Sequence, residues 1–320
     1  MDISVVVPLY NEEESLPELE KWIARVMKEN DFSYEIVFVN DGSKDGSVDV
    51  IKALAKKNEN VKGVSFKRNY GKSAALFCGF EKAKGDVIIT MDADLQDSPD
   101  EIPELFAMIK NEKYDLVSGW KKKRYDSKLT KNIPSKFYNY VARRVSGTKL
   151  HDMNCGLKAY RKDVIKSVEV YGEMHRYIPV LAKQAGFHNI GEKIVEHRKR
   201  IYGTTKFGMD RFVNGFLDLM TITFMAKFGK RPMHFFGLIG TLFILLGIAF
   251  TLSIGAYKWY ALRQGWDMPL ITQLPYFYVA ITTIIIGSQM FLAGFLGELI
   301  TRNSQERNNY LMGEEIGYKD

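Results

Sequence analysis

The chain has 320 residues, 46% hydrophobic and 26% charged, a composition that suits a folded protein and excludes a disordered, collagen-like or low-complexity one. Two cysteines, Cys78 and Cys155, are too few for a disulfide framework, and neither belongs to a Cys-x-x-Cys pair, which fits a reducing compartment. A net charge of +7 and an isoelectric point near 9.1 leave nucleic acid, an anionic membrane surface and phosphorylated substrates as partner classes, while a mean hydropathy of −0.18 averages over a charged first part and long apolar runs after Pro232.

Met1 leads almost directly into an apolar run over 3–7, with no charged n-region or small-residue cleavage site. The expectation is that no cleaved signal peptide is present and that the N-terminal domain stays in the cytoplasm. Short β-branched runs over 3–7, 35–39, 61–66, 87–91 and 115–118 predict strands, and helical patterns start at Glu12, Lys44, Lys72 and Pro99. Such alternation predicts βαβ units and an α/β fold with a doubly wound, mainly parallel sheet. Ligands of such sheets bind at the carboxyl ends of the strands.

Polar groups gather at those ends. The first run is followed by Pro8-Leu9-Tyr10-Asn11-Glu12-Glu13, the second by Asn40-Asp41-Gly42-Ser43, and the fourth by Asp92-Ala93-Asp94-Leu95-Gln96-Asp97. Each alone reads as a helix cap or turn, whereas three acidic strand ends in one alternating domain point to a site. If the strand continues past residue 91, Asp92, Asp94 and Gln96 project to one side and hold a divalent cation, Mg²⁺ or Mn²⁺, against diphosphate oxygens. Basic residues follow the other strands: Lys67-Arg68-Asn69-Tyr70-Gly71-Lys72 opens a helix, where free N–H groups favour anions, and Lys121-Lys122-Lys123-Arg124 leads to Lys128, Lys131 and Ser135. A later cluster runs from His197 to Lys206, just before a helical apolar stripe over 208–228. That stripe predicts an amphipathic helix in the headgroup layer, and packing against the soluble domain would produce the same pattern.

Two stretches, 233–257 and 274–298, are long and apolar enough to span a bilayer, which needs about 20 residues. The expected organisation is a cytoplasmic α/β domain over 1–206, an interfacial helix and linker over 207–231, a transmembrane hairpin over 232–300 and a tail over 301–320. Lys227, Lys230, Arg231, Arg302 and Arg307 flank the outer ends of the hairpin, against Lys258, Arg263 and the opposing Asp267 in its connection. Both termini are thus expected on the cytoplasmic face of the inner membrane. Glycines in both spans, among them Gly240, Gly247, Gly287 and Gly294, permit close helix contacts and hence a homo-oligomer.

Taken together, the motifs at 8–13, 40–43, 68–72, 92–97 and Tyr202-Gly203-Thr204-Thr205-Lys206 resemble those of family 2 glycosyltransferases with a GT-A fold. Within that family the chain is similar to the polyprenyl-phosphate glycosyltransferases, the group of dolichyl-phosphate mannose synthase and bacterial undecaprenyl-phosphate sugar transferases. The resemblance implies inverting transfer of one sugar from a UDP- or GDP-linked donor to a polyprenyl phosphate. It implies that Pro8, Tyr10, Asn11, Glu12 and Lys72 line the nucleotide pocket with Asp92, that Asp41 contacts base or ribose, and that Asp92, Asp94 and Gln96 form the metal centre. It further implies that Lys131, Ser135, Arg200 and Lys206 hold donor diphosphate or lipid phosphate, with Lys131, Arg200 and Asp94 taking part in catalysis, and that 151–158 shapes the sugar and acceptor site. Asp152 has two readings, a base or sugar-orienting group and a turn cap. Two positions depart from the family pattern: Ser98 precedes Pro99 where a second proline is common, and Thr204 stands where an acidic residue is common.

Competing readings are a processive polysaccharide synthase and a non-catalytic nucleotide-sugar-binding scaffold in the membrane. The first lacks its Gln-x-x-Arg-Trp signature here, and the intact acidic motif speaks against the second. Nucleic-acid binding rests on net charge without a motif.

Overall fold

The computed structural model describes residues 1–122, 150–172, 174–198, 217, 220, 221, 223–225, 227–229 and 231–303. The chain divides into two units, Met1–Ile222 and Thr223–Asp320.

In the first unit, the strands are β1 (Ile3–Leu9), β2 (Tyr34–Asn40), β3 (Val61–Ser65), β4 (Val87–Thr90), β5 (Leu116–Trp120), β6 (Lys158–Arg161) and β7 (Ile190–Ile194). They form one seven-stranded sheet in the order β3-β2-β1-β4-β6-β5-β7. β6 is antiparallel to both its neighbours; every other pairing is parallel. The helices are α1 (Leu16–Glu29), α2 (Ser47–Lys57), α3 (Lys72–Lys82), α4 (Ile102–Lys110), α5 (Lys162–Ser167) and α6 (Ile178–Gln184).

Both faces of the sheet are covered, which explains the unbroken apolar run of β1. Ile3, Val5, Val7 and Leu9 pack into one core with Leu16, Leu19, Ile23 and Met27 of α1 and Leu105 of α4. Val6 points the other way, with Val37, Val39 and Ile88, against Leu76 and Phe80 of α3 and Val164 of α5. Pro8 is tolerated in this central strand because pairing with β4 ends at Val6, so its missing N–H leaves no ladder bond unmade on that side.

The first five strands fall where the alternation predicts them, with ends shifted by a residue or two. α1 begins at Leu16 rather than Glu12, because residues 10–15 are held as a loop: Asn11 N–H donates to Ser43 Oγ (2.8 Å), Glu12 N–H to Ser47 Oγ (3.1 Å), and Asn11 Oδ1 accepts from Lys44 N–H (2.8 Å). Asn11 sits in the left-handed region at φ 55°. Gly42 is required at φ +68°, since a Cβ there would lie 2.3 Å from the backbone of Arg68.

The second unit holds α7 (Pro232–Arg263) and α8 (Pro275–Asn303), joined through a 3₁₀ turn at Ile271–Gln273. At 32 and 29 residues both are long and apolar enough to cross a membrane. Their flanks stay apolar and uncovered, as at Leu238, Leu246, Leu252 and Ile300. The helices pack through glycine: a Cβ on Gly240 would lie 2.6 Å from the Gly287 carbonyl oxygen, one on Gly287 2.7 Å from that of Gly240, and one on Gly247 2.9 Å from that of Ala280. The small residues read as an oligomer contact are thus used inside the chain, whereas Gly255 faces open space. At the start of α7, Phe224, Phe228, Phe235 and Phe236 form an aromatic cluster with centroids 4.8–5.6 Å apart. The expected interfacial helix over 207–231 lies largely outside the described residues; Leu217, Met220, Thr221, 223–225, Lys227 and Phe228 are helical.

Candidate active site

With six strands running one way, their carboxyl ends share an edge. β6 runs against them, so its amino end, Lys158, lies on that same edge between Thr90 of β4 and Ser118 of β5. The antiparallel strand thereby delivers 150–157 to the place where the acidic loop leaves β4.

That loop departs from the extended form. β4 ends at Thr90, Ala93 and Asp94 form a turn, and Leu95 takes φ 60°. The alternation that would place Asp92, Asp94 and Gln96 on one side does not continue. Instead Gln96 N–H donates to Asp94 Oδ1 (3.2 Å), folding the loop over the buried Asp94 carboxylate. Gln96 faces the end of β7: its carbonyl accepts from Arg198 N–H (2.9 Å), and its side-chain amide donates weakly to the Arg198 carbonyl (3.4 Å). Asp97 and His197 form a bridge beside it.

Asp92 is the electrostatic centre. Lys72, the first residue of α3, donates to Asp92 Oδ1 at 2.5 Å. A Cβ on Gly156 would lie 2.6 Å from Asp92 Oδ2, so a larger residue there would push on the Asp92 carboxylate, and its carbonyl is fixed by Thr90 Oγ1 at 2.8 Å. Burial alone would raise the Asp92 pKa, but Lys72, Lys121 and Lys158 together hold the carboxyl well below the usual carboxylate range. Lys121 pairs at 2.6 Å with the fully buried Asp97. Although burial disfavours its charge, Asp97 and Asp92 raise the Lys121 pKa, so it stays an ammonium. Lys158 is buried, which lowers its pKa, and it donates to the Cys155 carbonyl. The Cys155 thiol is pushed up to about 12 by burial and is therefore neutral and unreactive.

The remaining positions frame this centre. Asp41 accepts from Tyr70 N–H (2.7 Å) and Gly71 N–H (2.9 Å), so its carboxylate shapes the loop that starts α3. Tyr10, Asn11 and Glu12 lie on the same edge, half-buried. Asp152 is buried and accepts from Asn154 N–H (3.1 Å), the geometry of a turn cap. Its own N–H and that of His151 both donate to Glu192 Oε1 of β7 (3.0 and 2.8 Å), while the His151 ring contacts Glu192 Oε2 (2.7 Å) and stacks on Trp120 (centroids 4.3 Å apart). Lys131, Ser135, Arg200 and Lys206 lie outside the described residues.

Sequence reasoning passed over His175, bonded to Ser73 of α3 (3.0 Å), and Glu192, which carry no local signal, and it read Lys158 only as the end of the 151–158 segment.

Asp92, partly open beside Lys72, and the buried Asp94 are the carboxylates that would hold a divalent cation. Among the described residues no three His, Cys, Asp or Glu side chains gather as a self-sufficient metal site. Two carboxylates at a strand end, one of them partly open, suit an ion of the Mg²⁺ kind that completes its shell with water and substrate phosphate.

The family described as glycosyl transferase family 2 matches residues 4–168. The chain belongs to this family. It is 36% identical over 304 residues to a dodecaprenyl-phosphate galacturonate synthase of Rhizobium johnstonii, covering 94% of this chain and 88% of that one. An undecaprenyl-phosphate 4-deoxy-4-formamido-L-arabinose transferase of Shewanella sediminis is 36% identical over 301 residues, covering 94% and 87%. Among solved structures, glucosyl-3-phosphoglycerate synthase of Mycobacterium tuberculosis bound to UDP superposes with a TM-score of 0.54 at 18% identity, over 70% of this chain and 79% of that one. The same enzyme is also known with Mn²⁺ and UDP-glucose (TM-score 0.51, 18% identity, 70% and 79% covered). The likeness establishes the GT-A fold, and the family makes this glycosyltransferase an enzyme of sugar transfer.

Proposed function

We propose that this glycosyltransferase moves a single sugar, with inversion, from a nucleotide-sugar to a polyprenyl phosphate at the cytoplasmic face of the inner membrane, releasing nucleoside diphosphate. The observation that carries the reading is the coexistence, in one chain, of a lysine-ringed Asp92 at the sheet edge with two membrane-length helices. The relatives' names supply the acceptor class, and their similarity runs over 94% of the chain, through the hairpin as well as the catalytic domain.

The chemistry fits what these residues do. A phosphate monoester has a second pKa near 6, by analogy with phosphoserine, so the attacking oxygen is largely anionic at neutral pH and needs no strong base. Its oxygen forms a bond to the anomeric carbon as the bond from that carbon to the diphosphate breaks, and the electron pair leaves with the nucleoside diphosphate. The protein must hold two anions together and neutralise the departing charge. Lys72 and Lys121 place ammonium groups beside Asp92, and Glu192 fixes the backbone of His151 and Asp152 at the edge where the sugar would lie. A divalent ion, Mg²⁺ or Mn²⁺, held by Asp92 and Asp94 with Gln96 nearby, supplies charge neutralisation of the leaving group. Lys131, Ser135, Arg200 and Lys206 are assigned by family resemblance to the donor diphosphate and the lipid phosphate, and oligomerisation is assigned to surfaces other than the filled glycine seam.

The test is transfer of labelled sugar to undecaprenyl phosphate by purified full-length protein with Mg²⁺ or Mn²⁺. The donor panel carries UDP- and GDP-linked glucose, N-acetylglucosamine and mannose, with the galacturonate and formamido-arabinose donors named for the relatives. Label moves into the organic phase from one donor, chelator stops it, and Asp94→Asn lowers the rate by about a hundredfold or more in a folded, membrane-bound protein. Undiminished transfer by that variant overturns the metal assignment.

A further inference from the structure

Three lysines surround Asp92, but their situations differ. Lys158 is buried and tied to the Cys155 carbonyl. Lys121 is nearly buried, and its partner Asp97 is fully so. Lys72 and Asp92 both keep about a third of their side-chain surface open, at 33% and 34%. The first two lysines are fixed parts of the fold, since breaking a buried pair leaves an uncompensated charge. The Lys72–Asp92 pair is exchangeable, because water can screen either partner once it is released.

Lys72 also stands on the oxygen that the metal reading requires. Its ammonium lies 2.5 Å from Asp92 Oδ1, within the reach of a bound cation, and two positive charges cannot share that oxygen cheaply. Its backbone opens α3, whose first turn has no side-chain cap, and the preceding Gly71, at φ 96°, has nothing within 4 Å of where its Cβ would lie. An anion brought to this open helix start meets amide N–H groups and a flexible four-carbon side chain that can turn toward it.

We propose that Lys72 and the divalent cation compete for Asp92, and that the donor diphosphate resolves the competition by drawing Lys72 onto itself. Metal and nucleotide then bind with strong mutual dependence: the ion enters well only when diphosphate is present to take the lysine. This guards the carboxylates against loading with metal alone. The inference rests on the metal-dependent reading above and adds the order in which the site assembles.

The experiment measures Mn²⁺ binding to full-length protein in detergent by the free-ion electron paramagnetic resonance signal, with and without UDP. Wild-type protein binds Mn²⁺ weakly alone and at least about tenfold more tightly with UDP. Lys72→Met and Lys72→Gln, two neutral variants checked for an unchanged thermal midpoint, bind Mn²⁺ about tenfold more tightly than wild type without UDP and lose most of the gain from UDP. Lys72→Arg, which keeps the charge, stays near wild type. Neutral variants that bind Mn²⁺ no better than wild type in the absence of UDP overturn the proposal. If UDP-dependent binding is abolished by Asp94→Asn yet unmoved by neutralising Lys72, the competition fails and the metal site stands; if wild-type protein shows no Mn²⁺ binding with UDP, the metal reading fails with it.

Discussion

At the scale of single residues, the site edge is governed by ammonium groups rather than by its acids. His175 shows the consequence. It is packed beside α3 with its Nδ1 on Ser73 Oγ, and burial, then Lys72, Arg176 and Lys158, push its pKa well below 6.5. The folded protein therefore refuses a proton that the unfolded chain accepts below pH 6.5. Because the unfolded state binds more protons there, stability rises with pH up to about 6.5 and falls as the medium becomes more acid, by at most about 1.4 kcal/mol per pH unit from this group. His175→Gln should remove that share of the slope. Thermal midpoints of wild type and variant, taken from pH 7.5 to 5, should converge toward the acid end, and parallel curves would refute the assignment. The same crowding of cations explains why Asp92 stays ionised although partly buried, with its contribution lost only far below the pH range in which His175 acts.

At the scale of elements, what was legible in the sequence was what local pattern writes. The runs at 3–7, 35–39 and 87–91 are buried on both faces, so β-branched composition alone marks them. β6 and β7 escaped notice because neither advertises itself: Lys158–Arg161 carries charge at both ends, and Ile190–Ile194 alternates about a glycine and two ionic residues. Lys158 was legible only as the end of the 151–158 segment, since its place beside Thr90 and Ser118 depends on antiparallel pairing with residues 68 and 40 positions away. The metal motif was legible as composition but not as conformation; the positive φ of Leu95 depends on the bonds closing around Asp94 and Arg198. In the hairpin, the spacing of glycines suggested close helix contact and was read as a contact between copies of the chain. The structure makes it intrachain. Gly240→Val or Gly287→Val inserts atoms where a Cβ already comes within 2.6–2.7 Å of a facing carbonyl, whereas Gly255→Val meets open space. The first two should lower the thermal midpoint of the detergent-solubilised protein by several degrees, and the third should leave it unchanged. Equal effects at all three positions would show that the seam is not what the glycines serve.

At the scale of the whole molecule, the question is why a sugar-transfer domain carries two helices long and apolar enough to cross a membrane. Attachment alone would be met by one span or by a basic surface helix. Two helices with a sealed glycine seam offer a fixed apolar flank, and the aromatic cluster of Phe224, Phe228, Phe235 and Phe236 sits at the end of α7 nearest the catalytic domain in sequence, beside Lys227 and Arg231. A polyprenyl phosphate presents the same pairing of properties, an isoprenoid chain ending in an anion. Hence the hairpin should matter for the acceptor and hardly at all for the donor. Deleting the chain after Lys230 should leave UDP or GDP affinity within about threefold of the full-length protein, because the carboxyl-edge loops that surround Asp92 belong to the first unit. It should lower kcat/KM for undecaprenyl phosphate by about a hundredfold, and lower it far less for a short-chain, water-soluble polyprenyl phosphate that cannot use a membrane flank. Measuring both acceptors against one donor separates the effects: a loss confined to the long lipid assigns the hairpin to acceptor presentation. An equal loss for both acceptors, in a truncated protein that still binds nucleotide, would assign it instead to the integrity of the catalytic edge.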